Sequence, residues 1–335
     1  MGALTEVEKK LEEPPDRAFL VTPIKRRDRF FDALFRRTTM ALAVFSLVLV
    51  AAIALSLLWE GRLAFKKFGL PFLWTSVWNP VTDQYGAWVA IYGTVVASLI
   101  AIVIAVPVSF GISLFITELA PLWLKRPVSD AIELLAAIPS VIFGMWGLFV
   151  LAPLMALDIE PWISAHLGAL PLLGFLFSGP PMGIGMLTAG IILAIMIIPI
   201  ISSVMREVFS LTPVLLKESA FGLGATTWEV AKSVVLPYTR AAVSGAIFLG
   251  LGRALGETMA VTFVIGNAHD WSSSLLQPGT TISAVLANEF TEATTPMYKS
   301  SLLALGFILF ILTFLVLVLA HYLLWRVEKQ SGANS

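Results

Sequence analysis

Six stretches of the chain are apolar for about twenty residues each, a length that spans a bilayer as a helix. They fall at about 39–58, 91–116, 134–157, 184–205, 241–265 and 301–325 and are separated by more polar segments. At about 1.5 Å of rise per residue, each crosses roughly 30 Å of hydrocarbon. A spanning segment must satisfy its own backbone polar groups, so it is a helix or part of a closed barrel, and runs this long are helices. The pattern therefore predicts an all-α transmembrane fold of six helices. A water-soluble bundle of unusually oily helices is the alternative.

The polar segments give the direction. "KRRDRFFDALFRR" precedes the first span and carries Lys25, Arg26, Arg27, Arg29, Arg36 and Arg37. Positive charge collects on the cytoplasmic side, so the N-terminus is expected there. Six crossings return the C-terminus to the same side, with Arg326 and Lys329. The connection 117–133 holds Lys125 and Arg126, and 206–240 holds Arg206, Lys217, Lys232 and Arg240. On the opposite side, 158–183 has no Lys or Arg, and 266–300 has only Lys299. Residues 59–90 run against the trend with Arg62, Lys66 and Lys67. The expected organisation is a polar and basic segment 1–37, a six-span body 38–325 and a short tail 326–335, with both ends cytoplasmic. Within the first segment, residues 1–24 read as a polar, disordered tail.

Composition narrows the class. The chain of 335 residues is 58% hydrophobic and 13% charged, where soluble domains carry about 25% charge. Basic and acidic residues balance at 22 each, which argues against nucleic acid as a main partner. There is no cysteine, so disulfides and thiolate chemistry are excluded. His166, His269 and His321 lie in separate regions without metal-ligand spacing. No secretory signal precedes the first span. The outer segment "PWISAHLGALPLLGFLFSGPP" suggests a half-helix or lip at the interface, and "TTISAVLANEFTEA" a short outer helix. Trp59, Trp74, Trp78, Trp88, Trp162 and Trp271 mostly fall near span ends, as interface anchors do.

Two features do not follow from a plain bundle. The first is "GLGRALGET" at 250–258, which puts Arg253 and Glu257 inside the fifth span. Residues four apart share a helix face, and charge in lipid is costly, so that face should point into the bundle or a water-filled path. A structural salt bridge accounts for the pair. The functional alternative is a gate that handles an anion, since the planar Arg fork suits an oxyanion and Glu opposes tight binding. Gly252 and Gly256 make a small-xxx-small step that permits close helix packing. On the second span, Thr94, Ser98, Ser109 and Ser113 add modest polarity, and Pro107 should kink it.

The second feature is "REVFSLTPVLLKESAFGLGATTWEVAKSVVLPYTR" at 206–240. Thr212 can cap a helix with Pro213 in its first turn. Gly222 and Gly224 end it. Thr226 caps a second helix with Glu229 at its third position, and Pro237 closes that helix. The product is a helix–turn–helix elbow over 212–237, either an ordinary interfacial loop or a docking element. It resembles the coupling loop of ABC-importer membrane subunits: Glu-Ala-Ala, three residues, Gly, nine residues, Ile, one residue, Leu-Pro. Here those places hold Glu218, Ser219, Ala220, Gly224, Val234, Leu236 and Pro237, with Ser for the first Ala and Val for Ile. The chain has no "GxxxxGK[ST]" phosphate loop. It therefore reads as a transport subunit and not as an enzyme, with ATP and Mg bound by a separate ATPase and no cofactor of its own.

"GRALGETMAVTFVIGN" and "AAIPSVIFGMWGLFVLAP" narrow the resemblance to the PstC family of phosphate-importer permeases. That resemblance implies a six-helix importer permease in the cell membrane, forming half of a phosphate pathway. It also implies four kinds of partner: a second permease resembling PstA, an ATPase dimer resembling PstB, an outer phosphate-binding protein resembling PstS, and the lipid bilayer. By the same resemblance, Arg253 and Glu257 match a charged pair implicated in transport. Permeases for molybdate, sulfate or phosphonate remain alternatives. A secondary carrier would need inverted repeats with broken helices, and a scaffold would leave the elbow unexplained.

Overall fold

The computed structural model describes residues 26–171 and 174–332. Among these residues the architecture is helical, apart from two isolated bridges, Asn79 with Gln84 and Gly266 with Gly279. Six helices are long and apolar enough to cross a membrane. The tail expected over 1–24 lies outside the described residues, as does the end of the C-terminal tail, 333–335. The chain divides into two units, 1–56 and 57–335. Most of α1 (Arg26–Glu60) makes up the described part of the first unit. The basic residues at 26–37, assigned to the polar and basic first segment, are helical and form the opening turns of α1.

The second unit holds the other five spans and the pieces between them. In order they are α2 (Arg62–Phe68), α3 (Trp88–Leu119), α4 (Leu122–Ala136), α5 (Ser140–His166), α6 (Met186–Ser210), α7 (Val214–Gly222), α8 (Thr227–Gly256), α9 (Met259–Val264), α10 (Ile282–Glu289) and α11 (Pro296–Gly332). α6 lies at the centre. Of its most apolar window 61% is buried, against 33% or less for α3, α5, α8 and α11. Ile192, Leu193, Ile197, Ile201, Met205 and Phe209 of α6 form the core.

α3 approaches α6 through a face of small residues. Gly93, Ala97, Ala101, Ala105, Ser109 and Ser113 recur every four residues and are all buried. Lipid gives helices little hydrophobic drive to associate, so close backbone approach and interhelical hydrogen bonds hold them together. Ser109 donates to the Ile198 carbonyl at 3.2 Å and Ser113 to the Ser202 carbonyl at 2.9 Å. The polarity read on this span is thus an adhesive between two helices. At the other end, Thr94 Oγ1 accepts from Ile282 N–H at 3.0 Å.

Space at this end is fully used. A Cβ on Gly93 would sit 2.0 Å from the Thr280 carbonyl oxygen, whereas Gly111 on the same helix has nothing within 4 Å. Gly93→Ala is therefore expected to destabilise the detergent-purified protein by about 1–3 kcal/mol through overpacking. Gly111→Ala should be neutral or slightly stabilising, since Ala favours a helix over Gly by about 1 kcal/mol. Thermal unfolding of the two variants checks the contrast.

Three expectations are corrected. The third span, expected from 134, begins at Ser140, because residues 134–136 end α4, whose side chains are all at least partly exposed. The third span runs on to His166, so the lip expected over 161–181 begins as spanning helix, and a short 3₁₀ turn follows at Gly174–Phe177. The fifth span starts at Thr227, well before 241. Pro237 does not close it. A π turn over Ala231–Val235 takes up the missing donor: Leu236 N–H reaches back five residues to the Ala231 carbonyl, and the helix continues.

Candidate functional site

The elbow is built from two local stop signals. α7 ends in a Schellman motif: Gly224 N–H donates to the Phe221 carbonyl at 2.9 Å and Ala225 N–H to the Ala220 carbonyl at 3.1 Å. The motif needs a left-handed residue, and Gly224 has φ +87°. α8 then begins with a complete capping box. Thr226 Oγ1 accepts from Glu229 N–H at 3.4 Å, and Glu229 Oε2 accepts from Thr226 N–H at 2.8 Å. The turn between the two helices is thus fixed by two backbone hydrogen bonds at the end of α7 and two side chain–backbone bonds at the start of α8. The Thr212 cap is a correction. Thr212 N–H still bonds to the Phe209 carbonyl at the end of α6, its side chain is buried, and extended Pro213 precedes α7 without a side-chain cap.

The elbow presents apolar side chains outward. Leu223 is 91% exposed and Leu215 73%, and Val214, Phe221 and Trp228 are exposed beside them in sequence. Exposed apolar groups of this size, on a segment flanked by charged residues, are of the kind that meets a protein partner or a membrane surface. Of the residues that match the coupling pattern, Glu218, Ser219, Gly224 and Pro237 are exposed, while Ala220, Val234 and Leu236 are half-buried.

Arg253 and Glu257 are not brought together as expected. α8 ends at Gly256, and Glu257 is extended, with ψ 132°. The four-residue spacing therefore does not lie on one helix, and no salt bridge joins the pair among the described residues. Arg253 is exposed, with Nη2 4.0 Å from Met196 Sδ. Glu257 Oε1 accepts from Ala260 N–H at 3.5 Å, at the start of α9. Gly252 and Gly256 have no atom within 4 Å of a built Cβ. They line an open groove of about 400 Å³ with Gly306, Leu309 and Phe310 of α11. The break in the fifth span at 256–258 was not legible from its apolar run.

Two polar groups were missed in the sequence. Glu289, at the end of α10, accepts from Trp78 Nε1 at 2.7 Å and Tyr298 Oη at 2.6 Å, and its other oxygen meets His269 Nε2 at 2.6 Å. The Trp78 indole stacks on the His269 ring at 5.6 Å. Burial alone would raise the Glu289 pKa, but hydrogen bonds from His269, Tyr298 and Trp78 and the His269 charge outweigh it and hold it below its ordinary value. Nearby, the Tyr85 phenol is pushed up to about 12 by burial, then by the charge of Asp83. The second group is Glu160, which has no exposed surface and accepts from Gly183 N–H at 2.9 Å, tying α5 to the turn before α6. A lone Glu near a span end gives no sign of either role.

Comparison with known proteins follows this geometry. The family described as "Binding-protein-dependent transport system inner membrane component" matches residues 109–329. The "Phosphate transport system permease protein PstC" of Xylella fastidiosa (strain 9a5c) is 58% identical over 306 residues, covering 91% of this chain and 94% of that one. The chain belongs to the PstC family. PstC-family resemblance extends to an archaeal relative, the "Probable phosphate transport system permease protein PstC" of Methanocaldococcus jannaschii, 36% identical over 78% of this chain and 84% of that one. A subunit of a bacterial alginate ABC transporter shares the fold, with a TM-score of 0.59 at 17% identity, over 92% of this chain and 99% of that one. The molecule is thus the multi-pass inner-membrane permease subunit of an ABC importer, a transport subunit that works with a separate ATPase and a binding protein.

Proposed function

We propose that this PstC-family chain forms half of the translocation pathway of an ATP-driven inorganic phosphate importer. The observation that supports phosphate is the relative named for phosphate transport, 58% identical over nearly the full length of both chains. On this reading a second permease resembling PstA completes the pathway, a dimeric ATPase resembling PstB docks at the elbow, and a phosphate-binding protein resembling PstS delivers substrate. Both chain ends face the cytoplasm, with the elbow over 212–237.

The chain makes and breaks no bond in the substrate. ATP binding closes the ATPase dimer and displaces the elbow, whose two hydrogen-bonded joints transmit the displacement to α8. The helices then rock between inward-open and outward-open states, and the binding protein empties into the outward cavity. A ligand shifts such an equilibrium only by binding the two states unequally. Arg253 is the group given that differential contact: it lies next to the break in the fifth span, it is exposed in the single chain, and its guanidinium matches an oxyanion. Glu257, beyond the break, keeps the contact from becoming a trap.

The test is reconstitution of the co-purified complex in proteoliposomes with ATP and labelled phosphate, with molybdate and sulfate as competitors loaded on the binding protein. Phosphate uptake with neither competitor accepted is expected. Uptake of another oxyanion in its place would reassign the substrate. In the same assay Arg253→Gln is expected to cut uptake about tenfold, a loss of about 1.4 kcal/mol in the transport barrier, while assembly is retained. Unchanged uptake would remove Arg253 from the pathway.

A further inference from the structure

We infer that Lys217 and Glu118 are a positioning pair that carries elbow motion directly into the second span. The inference rests on the reading of 212–237 as the coupling element. Lys217 lies on α7 immediately before Glu218. Its Nζ is 2.5 Å from Glu118 Oε1, and the two side chains are only 16% and 9% exposed. α7 has no buried residue of its own, and a three-residue connection, Leu211–Pro213, joins it to α6. Apart from its fixed turn into α8 and the half-buried Ala220, such a helix is free to move relative to α3. The ion pair removes this freedom, because it ties α7 to a residue 99 positions away at the end of α3.

From Glu118 the path continues in rigid material. Glu118 belongs to the π turn Phe115–Leu119, which ends α3. The neighbouring Thr117 carbonyl accepts from Lys125 Nζ of α4 at 2.8 Å. Arg206 of α6 pairs with Glu133 of α4 at 2.8 Å. Ser109 and Ser113 bond the α3 face to α6 carbonyls. A displacement of α7 therefore reaches α3, α4 and α6 as one body, in addition to the covalent route into α8. An exposed ion pair contributes little stability, but a shielded one is screened less by salt, and its use here is directional. Lys suits the task because its ammonium is a point charge that keeps contact while the helix rotates, where a planar Arg fork would demand one orientation.

The pair is tested in the complete complex, reconstituted with its ATPase and binding protein, by the ratio of phosphate taken up to ATP hydrolysed. A merely structural staple would change the amount of complex and leave that ratio alone. Glu118→Gln and Lys217→Gln are each expected to lower the ratio about fivefold or more, the low end of ordinary coupling energies. The exchange E118K with K217E is expected to recover at least about half of it, by restoring opposite charges at the same contact. Assembled single variants with the wild-type ratio would overturn the inference. Where a single variant does not assemble, the exchange decides: recovery of assembly and ratio together supports the pair, and an exchange that stays unassembled or uncoupled overturns it. An error in the phosphate reading shows separately, as a wild-type complex whose ATPase ignores phosphate-loaded binding protein. The ratio is then measured with molybdate- or sulfate-loaded binding protein.

Discussion

Gly224→Pro is expected to abolish ATP-driven uptake, by about a hundredfold or more, while the chain still inserts and folds. Two physical demands meet at this residue. Its φ is +87°, and proline is fixed near −65°. Its N–H closes the turn onto the Phe221 carbonyl, and proline has none. The Schellman motif cannot form, so α7 loses its fixed angle to α8 and the apolar surface around Leu215 and Leu223 is no longer presented in one orientation. Membrane insertion is untouched, because Gly224 lies between the spans ending at Ser210 and starting at Thr227, and a Cβ built on it has no atom within 4 Å. Gly224→Ala separates the two demands. It keeps the N–H and adds only the left-handed penalty of roughly 1–2 kcal/mol, so its uptake should fall between wild type and proline. Uptake in membrane vesicles, with co-elution of the ATPase as a second reading, checks both. A proline variant that transports at the wild-type rate would separate the elbow from energy transfer.

The same residues show what a sequence can carry. Glycine at a helix end, and Thr with Glu three positions later, are local instructions, and the elbow folds as they dictate. Six apolar runs are likewise local, since lipid enforces a helix wherever twenty apolar residues occur in a row. What was not legible depends on partners far along the chain. Thr212 has the side chain of a cap, but the end of α6 claims its backbone and turns it inward. Pro237 has the look of a terminator, yet one π turn absorbs it. Glu118 and Lys217, or Glu289 and His269, carry no shared pattern, because nothing in local spacing records that two loops meet. The Arg253–Glu257 spacing promised a shared helix face and failed for the reverse reason: the helix ends between them, among glycines that an apolar count does not register as a break.

Glu289→Ala is expected to be the most destabilising change outside the spans, costing about 2–4 kcal/mol, since hydrogen bonds to a charged group are worth about 1.5–3 kcal/mol and their abandoned donors stay desolvated. Trp78 comes from the segment before α3, His269 from the segment after α9, and Tyr298 from the first turn of α11. One carboxylate therefore fastens three parts of the chain, and its removal frees all of them at once. Glu289→Gln keeps an acceptor of the same shape without the charge, and should cost less. The pH dependence has a definite sign. The folded-state pKa lies below the unfolded value of about 4.3, so the carboxylate's contribution is complete above about pH 5 and is lost as pH falls through the lower folded value. Unfolding free energies of wild type and the alanine variant should therefore differ above about pH 5 and converge in acid. A gap that widens on acidification would mean that the charged form of Glu289 is not what the fold has stabilised.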